Sequence, residues 1–343
     1  MSADVGGGNK ACSGCGIAEG GDVKLKDCSA CKLVKYCGIE CQRKHRSQHK
    51  KDCKRRAAEL RDELLFKQPE SSHRGDCPIC CLPLSLDKQK SVLMGCCLKM
   101  ICNGCDYANP MDVVGVKICQ KCPFCRLPTA KSQEELESNL MKRVEANDPV
   151  AMYQMAGYRY QEKKFSGAIE YYTKAAGLGH AEAHYELSCL YHDGGKGVKQ
   201  DKKRCLYHAE EAAIGGHPIA RYNLASNEIE HGRFERAAKH WIIGAKLGHD
   251  NSLDGVKTSF KTGFVSKEDF AAALRAHQAA VDATKSPQRD EALVARQNMH
   301  NLDANPELRD RMMRSTFNRM SPDARRRARQ NVRDGTFRMD YDI

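Results

Sequence analysis

KAAGLGH (174–180), EAAIGGH (211–217) and IGAKLGH (243–249) close three successive units of this 343-residue chain, 37 and then 32 residues apart. The units also open alike, with AMYQM from Ala151, AHYEL from Ala183 and ARYNL from Ala220. Small Ala and Gly at fixed places let two helices approach closely, while Leu, Met and aromatic side chains fill the seam between them. A period of this length with this content predicts stacked helix pairs, an α-solenoid, over residues 148–286, the fourth unit (251–286) being degenerate. Tyr153, Tyr185 and Tyr222 recur in phase and read as core, as does Trp241. His180, His217 and His249 recur at unit ends and read as turn residues rather than metal ligands. The glycines of GLGH and of GGKG (194–197) sit in these turns and do not follow a strand, so they are not phosphate loops. GxxxxGK[ST], HExxH and GxSxG are all absent, and no catalytic or organic-cofactor constellation is read.

On the N-terminal side, Ser132 followed by Glu135 is a capping-box signature. Leu136, Leu140 and Val144 continue from it as one helical stripe. On the C-terminal side, residues 287–343 hold 12 Arg, no Lys and nine acidic residues. There Ser321-Pro322-Asp323 reads as a helix start and Gly335 as its stop, giving a short solvated helix in a basic tail.

The first 125 residues are of another kind. Of the 19 cysteines, seven lie between Cys12 and Cys53 and ten between Cys77 and Cys125, with only Cys189 and Cys205 beyond. The sequence shows no apolar leader and no apolar run of membrane-spanning length. The expectation is therefore an intracellular chain, cytoplasmic and/or nuclear, with no membrane contact and with reduced thiols that bind metal. Metal changes the charge as well. The formal net charge is +12, but fifteen zinc-bound thiolates against four zinc ions bring it to about +5. Basicity alone is thus weak evidence for nucleic acid.

The first cluster is spaced Cys12-x2-Cys15-x12-Cys28-x2-Cys31-x5-Cys37-x3-Cys41-x7-His49-x3-Cys53. Zinc takes four N or S ligands in a tetrahedron, and eight ligands in four pairs supply two ions. Few apolar side chains lie in this segment, so metal must provide most of its folding energy, about 10–16 kcal/mol per site in peptides. With Tyr36-Cys37, Cys41-Gln42 and His49-Lys50 in place, the segment resembles the MYND zinc finger. The resemblance implies interleaved sites: Cys12, Cys15, Cys37 and Cys41 on one ion, Cys28, Cys31, His49 and Cys53 on the other. His45 is read as solvent-facing or supporting rather than ligating. A MYND finger implies docking of short peptide motifs on protein partners.

The second cluster, Cys77-x2-Cys80-x15-Cys96-Cys97-x4-Cys102-x2-Cys105-x16-Cys122-x2-Cys125, contains no His. CPIC, CCLKMICNGC and CPFCR resemble an all-cysteine RING finger. That resemblance implies a cross-brace with Cys77, Cys80, Cys102 and Cys105 on one ion and Cys96, Cys97, Cys122 and Cys125 on the other, four zinc ions in the chain altogether. Adjacent Cys96-Cys97 departs from the usual C-x-H step, and Cys81 and Cys119 are spare. A RING holds a ubiquitin-conjugating enzyme and fixes its thioester in a reactive pose, a positioning effect. The resemblance assigns Ile79, Pro123 and Arg126 to that contact, while Ile79 is equally read as packing on the zinc core and Arg126 as a surface charge. Ligase and plain adaptor therefore both stand.

GVKQDKKRCLYHAEEAAIGGH (197–217) resembles a Sel-1-like repeat, a relative of the tetratricopeptide repeat, and implies a surface that takes peptides or proteins. The reading is a mostly α chain: flexible N-terminus 1–11, MYND finger 12–53, helix and linker 54–76, RING-like finger 77–127, connecting helix 128–147, repeats 148–286 and Arg-rich tail 287–343. Its expected role is protein recognition. The first alternative is an active ubiquitin ligase with the repeats as substrate receptor. The second is a nucleic-acid-associated regulator using the basic segments of residues 43–56 and the tail.

Overall fold

The computed structural model describes residues 11–109, 121–128, 130, 132–303, 305 and 307. It is mostly helical and divides into two compact units, one of 1–73 with 179–274 and one of 74–178 with 275–343. Among the described residues no helix is long and apolar enough to cross a membrane.

The first unit begins with a short antiparallel pair, β1 (Lys26–Asp27) and β2 (Lys35–Tyr36), followed by the long helix α1 (Ile39–Leu65). Its other helices are α6 (Ala181–Asp193) with α7 (Lys202–Ile214), α8 (Pro218–Glu230) with α9 (Phe234–Lys246), and α10 (Asp250–Lys261). The recurrent Gly-His pair is what joins one pair to the next. Gly179, Gly216 and Gly248 take φ of +84°, +81° and +87°, which only glycine adopts without strain. The histidine that follows starts the next helix in two of the three: Nδ1 of His180 accepts from the Ala183 N–H at 3.2 Å, and Nδ1 of His217 from the Ala220 N–H at 3.1 Å, whereas Nδ1 of His249 meets the Ser252 hydroxyl at 2.8 Å. An imidazole lone pair thus does the work of an N-cap side chain. The in-phase tyrosines are only half-buried. Two of them lean on the cap of the next unit, Tyr185 stacking on His217 at 4.3 Å and Tyr222 meeting His249 edge-on at 5.9 Å, whereas Tyr153 tilts against Tyr172 at 5.7 Å.

Alanines fill the seam, with Ala209, Ala212, Ala213 and Ala220 buried around Leu224 and around Leu65 at the end of α1. Trp241 packs in the next cluster, with Ala238, Leu253 and Val256, and Gly255 lies so close against its indole that a methyl group has no room there.

The second unit contains the antiparallel pair β3 (Ser91–Leu93) and β4 (Met100–Cys102), in register Val92 to Ile101, and the short helix α2 (Asn103–Tyr107). Helix α3 (Gln133–Glu145) starts on Ser132, whose hydroxyl accepts from the Glu135 N–H at 3.2 Å. Its Leu140 joins Leu98, Ala151 and Met155 in a core shared with α4 (Pro149–Gln161), which pairs with α5 (Phe165–Gly177). Helix α11 spans Lys267–Ala283.

Within the segment read as a tail, α12 spans Pro287–Asp303, with Pro at its first position and the Ser286 hydroxyl accepting from the Arg289 N–H at 3.3 Å. Helix α12 packs on α2, where Gly104 leaves space for the Arg289 backbone. The helix start read at Ser321, the stop at Gly335 and the spare Cys119 lie outside the described residues.

Candidate metal centres

Four of the paired-cysteine turns share one backbone. The first Cys carbonyl accepts the N–H of the residue four positions on: Gly16 to Cys12 at 2.8 Å, Lys32 to Cys28 at 2.9 Å, Cys81 to Cys77 at 2.8 Å and Arg126 to Cys122 at 2.9 Å. That fourth residue is left-handed each time, with φ of +78°, +56°, +57° and +64°. Cys81 therefore forms the corner of a turn; it is exposed and, among the described residues, stands outside every sulfur cluster. Met94 to Leu98 makes the same turn, at 2.7 Å with φ +53° at Leu98, but a buried Met replaces the first Cys. This shift brings adjacent Cys96 and Cys97 to one centre.

The turns bring sixteen ligand atoms into four sets, each with its members within 4.8 Å of one another: Cys12, Cys15, Cys37 and Cys41; Cys28, Cys31, His49 and Cys53; Cys77, Cys80, Cys102 and Cys105; Cys96, Cys97, Cys122 and Cys125. A tetrahedron with 2.3 Å zinc–sulfur bonds puts its sulfurs about 3.8 Å apart. Observed separations include 3.6 Å for Cys15 to Cys37, 3.8 Å for Cys28 to Cys53, 3.8 Å for Cys80 to Cys102 and 3.7 Å for Cys97 to Cys122. In the second set Nε2 of His49 stands 3.2 Å from Cys31 Sγ. Donor type, number and spacing all fit zinc.

Electrostatics inside the clusters favour a cation. Burial opposes ionisation of Cys12, but the N–H groups of Cys37, Gly14 and Cys15 outweigh it and hold the thiol at about 6. Cys28 reaches about 6 in the same way, its burial outweighed by the N–H groups of Cys31 and Ala30 and by His49. Cys41, beside Cys37 and Cys15, is pushed up to about 12. Without metal each set thus concentrates negative charge that its remaining thiols resist adding to, and a divalent cation relieves this. His45 belongs to no set: Nδ1 pairs with the Tyr36 hydroxyl at 3.0 Å, and its ring stacks on His49 at 5.7 Å. It packs against a ligand without joining the set.

Sequence reasoning missed Arg289 of α12. Almost fully buried, it donates from Nη2 to Cys80 Sγ at 3.3 Å and to the Leu82 carbonyl at 3.1 Å, and from Nη1 to the Pro83 carbonyl at 2.7 Å. No local signal marks it, because its partners in the second finger lie some two hundred residues away. Ile79 is 42% exposed, Arg126 is exposed and Pro123 is half-buried. Phe124, also exposed, was overlooked although CPIC and CPFC give it the register of Ile79.

Residues 10–53 match the family model of the MYND finger. In this MYND finger α1 supplies Cys41, His49 and Cys53 from one helix face, and the knuckles of Cys12 and Cys28 supply four more ligands. Among solved structures, a Sel1 repeat protein from Oxalobacter formigenes is 21% identical with a TM-score of 0.39, over 50% of this chain and 51% of that one. A protective antigen of uropathogenic Escherichia coli that displays an SLR fold is 18% identical with a TM-score of 0.37, over 43% of this chain and 34% of that one. No curated protein matches the chain. Outside the MYND finger, the sulfur sets of residues 77–125 fit RING-like zinc sites.

Proposed function

We propose that this chain is a zinc-organised scaffold that recognises protein segments through its MYND finger and repeats, and that its second finger recruits a ubiquitin-conjugating enzyme to what they hold. One observation carries the finer part: Ile79 and Phe124, at equivalent places in the CPIC and CPFC turns, keep apolar side chains 42% exposed instead of packing them on the sulfur core. An apolar side chain inside a zinc turn gains by burial only against a partner. Arg126, next to the last ligand, adds a charge at the rim. The covalent chemistry would belong to the conjugating enzyme, the finger contributing orientation. We also assign the chain to a reducing compartment, cytosol or nucleus, since thiolate ligands persist there.

The test is autoubiquitination by full-length, zinc-loaded protein with a panel of conjugating enzymes. Chains lost in Ile79→Ala and reduced in Arg126→Ala support recruitment. Absence of chains with every conjugating enzyme, from protein retaining its zinc, overturns it and leaves a scaffold.

A second reading rests on the opposite side of α1. Cys41, His45, His49 and Cys53 recur every fourth residue on one face, while Arg43, Arg46, Lys50 and Lys54 are exposed on the other. Such a stripe suits a phosphate backbone. Binding to duplex or single-stranded nucleic acid with a log–log salt slope of about −3 supports it; no binding at about 50 mM salt removes it.

A further inference from the structure

Residues 65–73, from the last residue of α1 toward the second finger, lie against α6, α8 and α9 in the manner of a bound peptide. Arg221 of α8, fully buried, donates to two of their carbonyls, Leu65 at 2.7 Å and Lys67 at 3.4 Å. The Gly216 carbonyl accepts the His73 N–H at 3.1 Å, and a methyl group on Gly216 would press on the Ser71 carbonyl. Two side chains are held as well, seven positions apart. The Phe66 ring sits 4.7 Å from that of His240, with the Arg236 guanidinium over it at 4.8 Å. The His73 ring stacks on His217 at 4.2 Å and its Nε2 meets Glu182 at 2.8 Å. Between these anchors Lys67, Gln68, Glu70 and Ser71 are exposed.

Main-chain contacts together with two side-chain pockets are how receptors take peptide segments. The face also carries polar groups that its occupant leaves unused: Nε of Arg221 and both ring nitrogens of His240 are buried without a hydrogen bond among the described residues. A buried guanidinium bonded to carbonyls and not to a carboxylate is a costly arrangement for a purely structural seam. His73, Glu182 and His217 also have the composition of a metal site. However, His217 Nδ1 accepts the Ala220 N–H, so the neutral ring carries its proton on Nε2, the atom a metal would need.

We propose that this face of the repeats is a peptide-receiving site whose resident occupant is the chain's own residues 65–73. The partner it fits is a segment that leaves a helix end, with an aromatic residue there and, seven positions on, an imidazole that donates to Glu182. The proposal rests on the repeats recognising protein segments and is independent of recruitment by the second finger.

The probe is a fluorescein-labelled peptide of residues 62–74, titrated into full-length, zinc-loaded protein. A tethered occupant at millimolar effective concentration excludes it from the wild-type chain at about 100 µM. Phe66→Ala/His73→Ala protein, with helical signal and zinc content unchanged, binds it at least tenfold more tightly. Arg221→Met added to that protein, or Phe66→Ala in the peptide, abolishes the binding. No binding at about 1 mM, or binding indifferent to Arg221, overturns the proposal. Should the double variant fail to fold, His73→Ala alone is titrated; Arg221-dependent binding supports the site and its absence overturns it. Ubiquitin chain formation is not read in this assay, so failure here leaves the recruitment reading standing.

Discussion

The guanidinium of Arg289 donates to the sulfur of Cys80 at 3.3 Å and, through the Leu82 and Pro83 carbonyls, grips the turn that carries Ile79. A hydrogen bond to a zinc thiolate from outside the ligand set tunes the site, and loss of such partners typically weakens metal binding 10–100-fold. Arg289→Met should therefore speed zinc release to a chelator from one of four sites and leave three unchanged. Arg289→Lys should recover part of the loss. Uniform release kinetics across the sites would refute the link.

Gly14 faces α1 so closely that a methyl group there would lie 2.7 Å from both Cβ and the carbonyl oxygen of Cys41. Gly14→Ala should push Cys41 from its partners and lower the zinc content in native mass spectrometry. Gly16→Ala, at φ +78° with open space around it, should keep every ion and cost about 1 kcal/mol of backbone strain.

Cys81 occupies a left-handed corner without ligating. Cys81→Gly should keep full zinc content and raise stability by up to about 1 kcal/mol, whereas Cys80→Ser, at a ligand within the same turn, should lose metal. Zinc stoichiometry with thermal melts separates the two.

His240 is buried against Arg221 and Arg236, and burial first, then those charges, lower its pKa to about 3. The folded chain thus favours the neutral ring. Its contribution to stability is complete above the unfolded value near 6.5 and is lost as pH falls from there toward 3. Between pH 7.5 and 5.5 the wild type should lose about 1 kcal/mol more than His240→Phe in denaturant melts. Zinc loss in acid affects both proteins and cancels in the difference; equal pH dependence would contradict the burial argument.

The parts of this fold legible in the sequence are those written in short-range spacing. A paired-cysteine turn and a Gly-His pair each encode a local backbone, a left-handed corner and a helix cap, so the sulfur clusters and helix pairs could be read along the chain. Arg289 was not legible, because a count of tail arginines suggested solvation and only the partner at Cys80 reveals its burial. Phe66 and His73 were hidden likewise in a stretch that looks like linker, since their partners His240 and Glu182 lie more than a hundred residues on. Met94, standing where a knuckle would have its first Cys, explains why Cys96 and Cys97 are adjacent, and spacing alone gave no hint of it.

Helix α1 holds zinc ligands at Cys41, His49 and Cys53 and ends in the repeats at Leu65. It works as an axle keyed at both ends. Each residue of an α-helix advances about 1.5 Å and turns about 100°, so one residue added between Cys53 and Leu65 would swing the finger through more than a right angle while scarcely lengthening the shaft. The stretch between them is a phase setting: its length in residues decides which way the MYND finger faces, and two chains that differ there by a single residue would present different surfaces to the same partner.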